Sequence, residues 1–447
     1  MLHQLQKLMA NLELSERSDY DPWQFCFAFK EFDGSPTNTV EQKDAQEFLT
    51  TLFDRLETAL KGTSRKYLLQ SVFGGKTCSQ LVCKECGKVK NRLEDFYNLS
   101  LTVKDIKGMY DSLAKLVEGE VIGDYECSGC KKKVDVSKRT LIAETPNVLI
   151  VHLQRLLFNF DTFQNDKLNQ HFEFPEHLDL RPYSYYEVMA KENRLNKPPA
   201  EGGNEEEKKE ADGQEERKGD EDAKEERKAE EKSGEDDENV QPADEDCFEY
   251  KLVGVNVHSG TAHAGHYWSY INTSRGHEED PIEGDDPAWA SAENGRWMEF
   301  NDSTVRDFQA SKLKDECYGG DGGGSGGFGL SALDGWGLGG GYGKSGYMLF
   351  YERRQKRPLK QLVLEEKVAP EAQPESKDGG DAEQKGDEKK EEAKAPEEKF
   401  LEVDYREGVS ASEVPNRIFM KVLDDNRKYG FENDVYSADF FDFALAI

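Results

Sequence analysis

Residues 258–266 read His-Ser-Gly-Thr-Ala-His-Ala-Gly-His, so His258, His263 and His266 share one short stretch with Gly260 and Gly265. Imidazole titrates near neutral pH and can both take and return a proton, which suits it to general base work. A catalytic ring also needs a carboxylate or amide to hold it and fix its tautomer. Asn301 and Asp302, directly after Trp297-Met298-Glu299-Phe300, offer one of each. A second group consists of thiols. Cys83-Lys84-Glu85-Cys86-Gly87 and Cys127-Ser128-Gly129-Cys130 are two Cys-x-x-Cys knuckles, with a glycine in or just after each tight turn. That spacing puts four thiolates in tetrahedral reach and predicts a zinc ribbon. With four sulfur ligands and no open position, its zinc would be structural. A nucleic-acid-binding ribbon is the rival reading; Glu94 and Asp95 on its flank oppose it, despite Lys131-Lys132-Lys133.

These groups need strands and helices to place them. Leu252-Val253-Gly254-Val255-Asn256-Val257 is apolar and valine-rich, as suits a largely buried strand, and Tyr267-Trp268-Ser269-Tyr270-Ile271 reads as its hairpin partner. The hairpin carries His266 at a strand mouth, where Gly265 allows another backbone to approach. Leu2, Leu5, Leu8, Met9 and Leu12 have helical spacing, and residues 25–29 form a short apolar segment beyond the break at Asp21-Pro22. Gln42-Lys43-Asp44-Ala45-Gln46-Glu47-Phe48-Leu49 opens a second helix running to about Leu60, with Ala45, Phe48, Leu49, Leu52, Phe53 and Leu56 as its apolar stripe. Its acids fall near the start, where the helix dipole favours them. Residues 145–155 read as a central strand entered by Pro146, with His152 as a sheet histidine. Residues 172–180 supply a short strand and turn, and residues 346–353 a last strand.

Composition limits how much of the chain can fold. Of 447 residues 36% are hydrophobic and 33% charged, which is too polar for a chain that is globular throughout. Residues 201–246 hold twenty-two acids and eight bases and read as a disordered acidic loop. Residues 319–346 hold fifteen glycines and read as a flexible insertion. Gly343-Lys344-Ser345 within it is not a phosphate-binding loop, because the glycine needed five positions earlier is Leu338. The net charge of −31 argues against nucleic acid and anionic membranes as partners. No apolar run approaches the ~20 residues of a membrane span, and there is no signal-peptide pattern. Paired cysteines of this kind belong to reducing compartments, so the expected location is intracellular, in cytoplasm or nucleus.

Together the histidine stretch, the Asn301-Asp302 box, the Gln42-Lys43-Asp44-Ala45-Gln46-Glu47-Phe48 box, the two knuckles and the strand at 145–155 resemble the ubiquitin-specific proteases. These are papain-like cysteine deubiquitinases, and the resemblance runs with interruptions from near residue 1 to about Arg353. It implies an α+β papain-like cysteine peptidase fold with a helical thumb, zinc-ribbon fingers and a β-sheet palm. The implied boundaries are 1–70 for the thumb, its N-terminal part absent, and 71–196 for the fingers and first palm strands. The acidic insertion at 197–246 precedes the rest of the palm at 247–353. A charged linker at 354–398 and the truncated start of a helical region at 399–447 complete the chain.

The resemblance also assigns roles. His266 matches the general base and Asn301 the residue that orients it, with Asp302 as the alternative or auxiliary orienter. Gln42, Asp44, Glu47, His258 and Tyr267 match substrate-binding positions, the acids facing the arginines of ubiquitin's tail. Ubiquitin and ubiquitinated proteins are the implied partners, and cleavage after ubiquitin's terminal glycine the implied reaction. The family's nucleophile lies in a Gly-x-x-Asn-x-Gly-x-x-Cys segment that this chain does not contain. Cys26 is flanked by Phe25 and Phe27, and Cys78, Cys247 and Cys317 lack a glycine-rich or helix-start setting. Met1 falls within a helical face, as if at a cut edge, so the expectation is a piece of a larger deubiquitinase whose nucleophile lies outside the chain. The alternative is a catalytically inactive ubiquitin-binding module.

Overall fold

The computed structural model describes residues 1–31, 33–39, 43–160, 163–195, 248–262, 264–274, 295–320, 343–363, 399–405 and 414–435. The acidic insertion at 201–246, the centre of the glycine-rich one at 321–342, and Gln42, His263 and Cys247 lie outside the described residues. The fold is mixed α/β with several sheets. The chain forms two compact units, Met1–Val72 with Arg357–Ile447, and Phe73–Lys356. Among the described residues no helix is long and apolar enough to cross a membrane.

In the first unit the helical spacing near the start gives α1 (Leu2–Leu14). Ala10 packs with Ile418 and Val422 of a helix at Asn416–Val435, so apolar side chains near the two ends of the sequence bury one another. Asn426 fastens the contact by donating from Nδ2 to the Leu14 carbonyl (2.8 Å) and accepting from the Glu16 amide (3.0 Å). The apolar segment after Asp21-Pro22 is α2 (Trp23–Ala28). The next helix, α3 (Ala45–Leu60), starts where Asp44 caps it, its side chain accepting from the amides of Gln46 (2.7 Å) and Glu47 (3.2 Å). Phe53 and Leu56 of the expected stripe are buried, whereas Phe48 is 40% exposed. A short helix, α4 (Leu68–Phe73), follows. Within the stretch read as a charged linker, Leu359–Leu362 is a strand paired with Phe400–Val403.

The second unit holds two main sheets. Its elements are β1 (Gly75–Cys83), β2 (Val89–Phe96), β3 (Asn98–Thr102), α5 (Met109–Glu118), β4 (Glu120–Cys127), β5 (Lys132–Glu144), β6 (Val148–Gln154), β7 (Leu156–Asn159), β8 (Gln164–Lys167) and β9 (His177–Asp179). They continue with α6 (Tyr185–Leu195), β10 (Glu249–Gly260), β11 (Gly265–Asn272), β12 (Trp297–Asn301), β13 (Thr304–Phe308) and β14 (Ser345–Arg353). The smaller sheet has the order β2-β1-β5-β4, and the larger runs β13-β12-β11-β10-β14-β6-β3 with β9 beside β10. Strand β5 links them. At ~3.3 Å per residue its 13 residues span about 40 Å, from the cysteine knuckles to Ile142 in the main core. That core lies between the large sheet and α5, where Leu101, Met109, Leu113, Leu149, Leu153 and Tyr351 are nearly inaccessible.

The strands β10, β14 and β6 are apolar on both faces, which is why valine and leucine run through them without strict alternation. Arg155 ends the apolar run of β6 and is itself 0% exposed. Its guanidinium donates to the carbonyls of Gly346 (2.8 Å), Leu168 (3.1 Å), Gln170 (2.8 Å) and Tyr318 (3.2 Å). Four carbonyl dipoles thus stand in for the lost water, and burial lowers its pKa to about 10.

Candidate active site and metal centre

The described residues of the histidine stretch lie at the end of the β10–β11 pairing, with His258 opposite Tyr267, Ser259 opposite His266 and Gly260 opposite Gly265. Both glycines are sterically required. Gly260 has φ +111°, and a Cβ there would lie 2.4 Å from the Ala264 carbonyl oxygen. A Cβ on Gly265 would lie 2.1 Å from the Ser259 carbonyl oxygen and 2.4 Å from Nε2 of His258. The expected close approach of backbone at Gly265 is therefore present, and the His258 ring shares the space.

His266 projects from the second position of β11 with its side chain 44% exposed, stacked on Trp268 at 5.8 Å between ring centres. Its Nε2 lies 2.6 Å from Oδ1 of Asn301 and 3.8 Å from Oδ2 of Asp302. The amide orientation follows from its other contact. Nδ2 of Asn301 donates to Oε1 of Glu299 at 3.3 Å, and an ionised carboxylate can only accept. Oδ1 must then face His266, so Nε2 is the ring nitrogen that donates to it. Asp302 stands outside hydrogen-bonding distance because it is in a two-residue turn. Asn301 pairs with Thr304 across that turn, and Asp302, at φ +50°, sends a 78%-exposed carboxylate outwards.

The sequence-derived substrate positions are divided between the two compact units. His258 is 3% exposed and lies beneath Tyr267, ring centres 4.4 Å apart, and Tyr267 is half-buried. Asp44 is occupied as a helix cap and Glu47 is exposed in the first turn of α3, both in the other compact unit. Gln42 lies outside the described residues. Of the cysteines, Cys78 and Cys317 are fully buried, and burial drives the Cys317 thiol well above its ordinary pKa.

The four knuckle cysteines converge. All their sulfurs lie within 4.8 Å of one another, Cys83 to Cys130 and Cys86 to Cys127 each at 3.7 Å. A regular tetrahedron of Zn–S bonds near 2.3 Å has edges of about 3.8 Å, so the group could hold a metal ion and is consistent with a zinc site. Each knuckle turns its second cysteine's amide onto its first sulfur, Cys86 to Cys83 and Cys130 to Cys127, both at 3.5 Å. The Cys86 amide lowers the pKa of the Cys83 thiol, while the neighbouring sulfurs of the cluster raise that of Cys130, as expected where close thiols share protons. Gly87 stands just after its turn and Gly129 inside its own; the left-handed positions are Gly87 (φ +69°) and Lys131 (φ +52°), and a Cβ on Gly129 would come 3.1 Å from Cys86 Sγ.

Two cations, the buried Arg155 and the part-buried Lys167, were not singled out as site residues by sequence reasoning. Arg155 had a signal, a lone arginine closing an apolar strand. Lys167 had none, since Gln164-Asn165-Asp166-Lys167 reads as a polar turn. It is the last residue of β8, and its ammonium donates to the carbonyls of His258 (2.8 Å) and Gly343 (3.1 Å). The β7–β8 hairpin also exposes Phe158 beside Phe160 and Phe163.

Comparison with known proteins bears on the family of the chain. A family model described as ubiquitin carboxyl-terminal hydrolase matches residues 1–351. Ubiquitin carboxyl-terminal hydrolase 34 of Mus musculus is 32% identical over 323 residues, 72% of this chain and 8% of the relative. Ubiquitin carboxyl-terminal hydrolase puf of Drosophila melanogaster is 37% identical over 323 residues, covering 72% and 7%. Ubiquitin carboxyl-terminal hydrolase 24 of Mus musculus is 28% identical over 486 residues, covering all of this chain and 16% of that protein. The chain thus spans less than a fifth of the length of these relatives. With the family model matching most of its residues and the two boxes meeting at His266 and Asn301, the chain belongs to the ubiquitin carboxyl-terminal hydrolase family.

Proposed function

We propose that this chain contributes the base and its orienting residue to a cysteine-type deubiquitinase, one that cleaves the amide after ubiquitin's terminal glycine. The observation that carries the reading is the 2.6 Å contact from His266 Nε2 to Asn301 Oδ1, which leaves Nδ1 as the basic nitrogen. A thiol gives its proton to Nδ1, and the thiolate attacks the carbonyl carbon of the scissile amide. The imidazolium then returns the proton to the departing amine. Water, deprotonated by the same ring, releases ubiquitin's carboxylate and frees the sulfur. We assign Asn301 as the orienter and Asp302 as an auxiliary charge on the solvent side. We assign the nucleophile to a segment outside these 447 residues, because the Gly-x-x-Asn-x-Gly-x-x-Cys motif is missing from them, Cys78 and Cys317 are buried, and Cys83, Cys86, Cys127 and Cys130 are gathered in the cluster.

The rest of the assignment follows the family's architecture. The helices of residues 1–70 are thumb, the small sheet is fingers tipped by a structural zinc at Cys83, Cys86, Cys127 and Cys130, and the large sheet is palm. Asp44 and Glu47, with Gln42, meet the basic ubiquitin tail, while Tyr267 over His258 lines the path to His266. Ubiquitin and ubiquitinated proteins are the partners, in an intracellular setting. A second reading, an inactive ubiquitin-binding module, is favoured by the full burial of Cys78 and Cys317 in the unit that carries His266. One assay separates the two. A ubiquitin–fluorophore substrate and a covalent ubiquitin probe are applied to this chain and to the chain joined to a family Cys-containing segment. Activity in the joined protein alone, abolished by H266A, supports the enzyme; an inert joined protein that still binds ubiquitin supports the module.

A further inference from the structure

The pairing of β10 is unequal on its two sides. Towards β11 it continues through Ser259–His266 to Gly260–Gly265, but towards β14 it stops at His258–Ser345. The two rungs that carry His266 therefore extend past the end of β14. Where the β10–β14 ladder stops, the Lys167 ammonium takes the carbonyl of His258 on one side and that of Gly343, just ahead of β14, on the other. The aim of this side chain is set by its backbone. Lys167 pairs with Leu156 across the β7–β8 hairpin, and the next residue, Leu168, donates to the Arg155 carbonyl (2.7 Å) while its own carbonyl accepts from the Arg155 guanidinium. Burial, with the like charge of Arg155, pushes the Lys167 ammonium down to about 8. It is thus a cation held by carbonyl dipoles against a desolvation cost, which a surface lysine would avoid.

From this geometry we infer that Lys167 is a positioning residue for His266, its ammonium replacing the missing rung between β10 and β14 so that the hairpin tip keeps one conformation. The inference rests on His266 as the base. It is tested on the 447-residue chain labelled with 15N-histidine, the His266 signal being identified by its loss in H266Q. Wild type should show the Nε2–H tautomer of His266. K167M should average its two tautomers and speed amide exchange over residues 258–266 by at least about tenfold, leaving residues 76–82 of β1 unchanged. K167R, which keeps the charge and donors, should restore the tautomer and bring exchange within about threefold of wild type. A K167M chain with wild-type tautomer and exchange overturns the proposal. So does one that loses its whole thermal transition, since the lysine would then be a general core charge. A wild-type chain without the Nε2–H signature overturns the reading of His266 itself, before any lysine is changed.

Discussion

Asn301 holds His266 through an amide whose orientation is dictated from its far side. Its Nδ2 donates to Glu299, so its Oδ1 accepts from Nε2 of His266 at 2.6 Å. The relationship ranks two neighbours that the sequence left level, because Asp302 is 3.8 Å from the same nitrogen and 78% exposed.

The ranking predicts unequal losses. In a polypeptide that carries the nucleophile, N301A should lower kcat by roughly 10²–10⁴-fold, as expected when a catalytic imidazole loses its tautomer control. D302A should cost less than about tenfold, because its charge is separated and solvated. Steady-state turnover of ubiquitin–fluorophore by the two variants checks this, and a larger loss in D302A would reverse the assignment.

Glu299 should matter as well, although it touches no substrate in the proposed reaction. E299A removes the group that fixes the Asn301 amide, so kcat should fall by about tenfold with KM nearly unchanged. E299Q can present either amide atom to Asn301 and should fall between the two. An E299A enzyme indistinguishable from wild type would show that packing alone orients Asn301.

The cysteine cluster predicts one bound zinc ion per chain, with an apparent binding energy on the order of 10 kcal/mol at neutral pH. C83S or C127S should abolish the stoichiometric metal seen by elemental analysis. Exchange protection should fall in the outer parts of β1, β2, β4 and β5, where Val134, Val136 and Leu81 pack around the knuckles. The large sheet, with its separate core, should keep its protection. Metal retained in both variants would argue against a four-sulfur site.

Asp44 predicts a separable pair of effects. As the cap of α3 it accepts from two amides, and D44A should destabilise its unit by about 1 kcal/mol, read from the denaturant midpoint. D44N keeps a capping oxygen and should be near neutral for stability. If Asp44 also meets a basic ubiquitin tail, D44N should still bind ubiquitin more weakly than wild type, and the difference should shrink as salt is raised. Equal affinities for D44N and wild type would leave the cap as its role.

Arg155 predicts a large stability effect without any loss of substrate contact. R155M strands the carbonyls of Gly346, Leu168, Gln170 and Tyr318 in a site closed to water, and should lower stability by at least about 3 kcal/mol. Urea unfolding followed by the fluorescence of Trp297, which is buried in the same unit, measures it. R155K retains the charge but not the forked donors, and should recover part of the loss.

What could be read from the residues alone was local in sequence. A Cys-x-x-Cys knuckle closes within four residues, so its sulfurs were legible as a pair before any fold was known. The apolar spacing of Leu2 to Leu12 and the valine-rich run at 252–257 gave α1 and the heart of β10 because helix and strand periodicities belong to the chain itself. The cap at Asp44 lies in the stretch read as a helix start for the same reason. Composition likewise marked which stretches lack the apolar content to build a core.

Tertiary structure decided what depends on groups distant in sequence. Nothing near Asn301 announces that Asp302 will take a left-handed turn and swing its carboxylate away from His266; that follows from β12 and β13 pairing beside β11. Lys167 reaches carbonyls 91 and 176 residues away, and Arg155 one that is 191 away. Likewise α1 finds its cover in a helix that begins at Asn416. The sequence therefore determined the reacting types, the local elements and the family. The fold chose which carboxylate or amide meets the imidazole, because hydrogen bonds depend on position in space and not on separation along the chain.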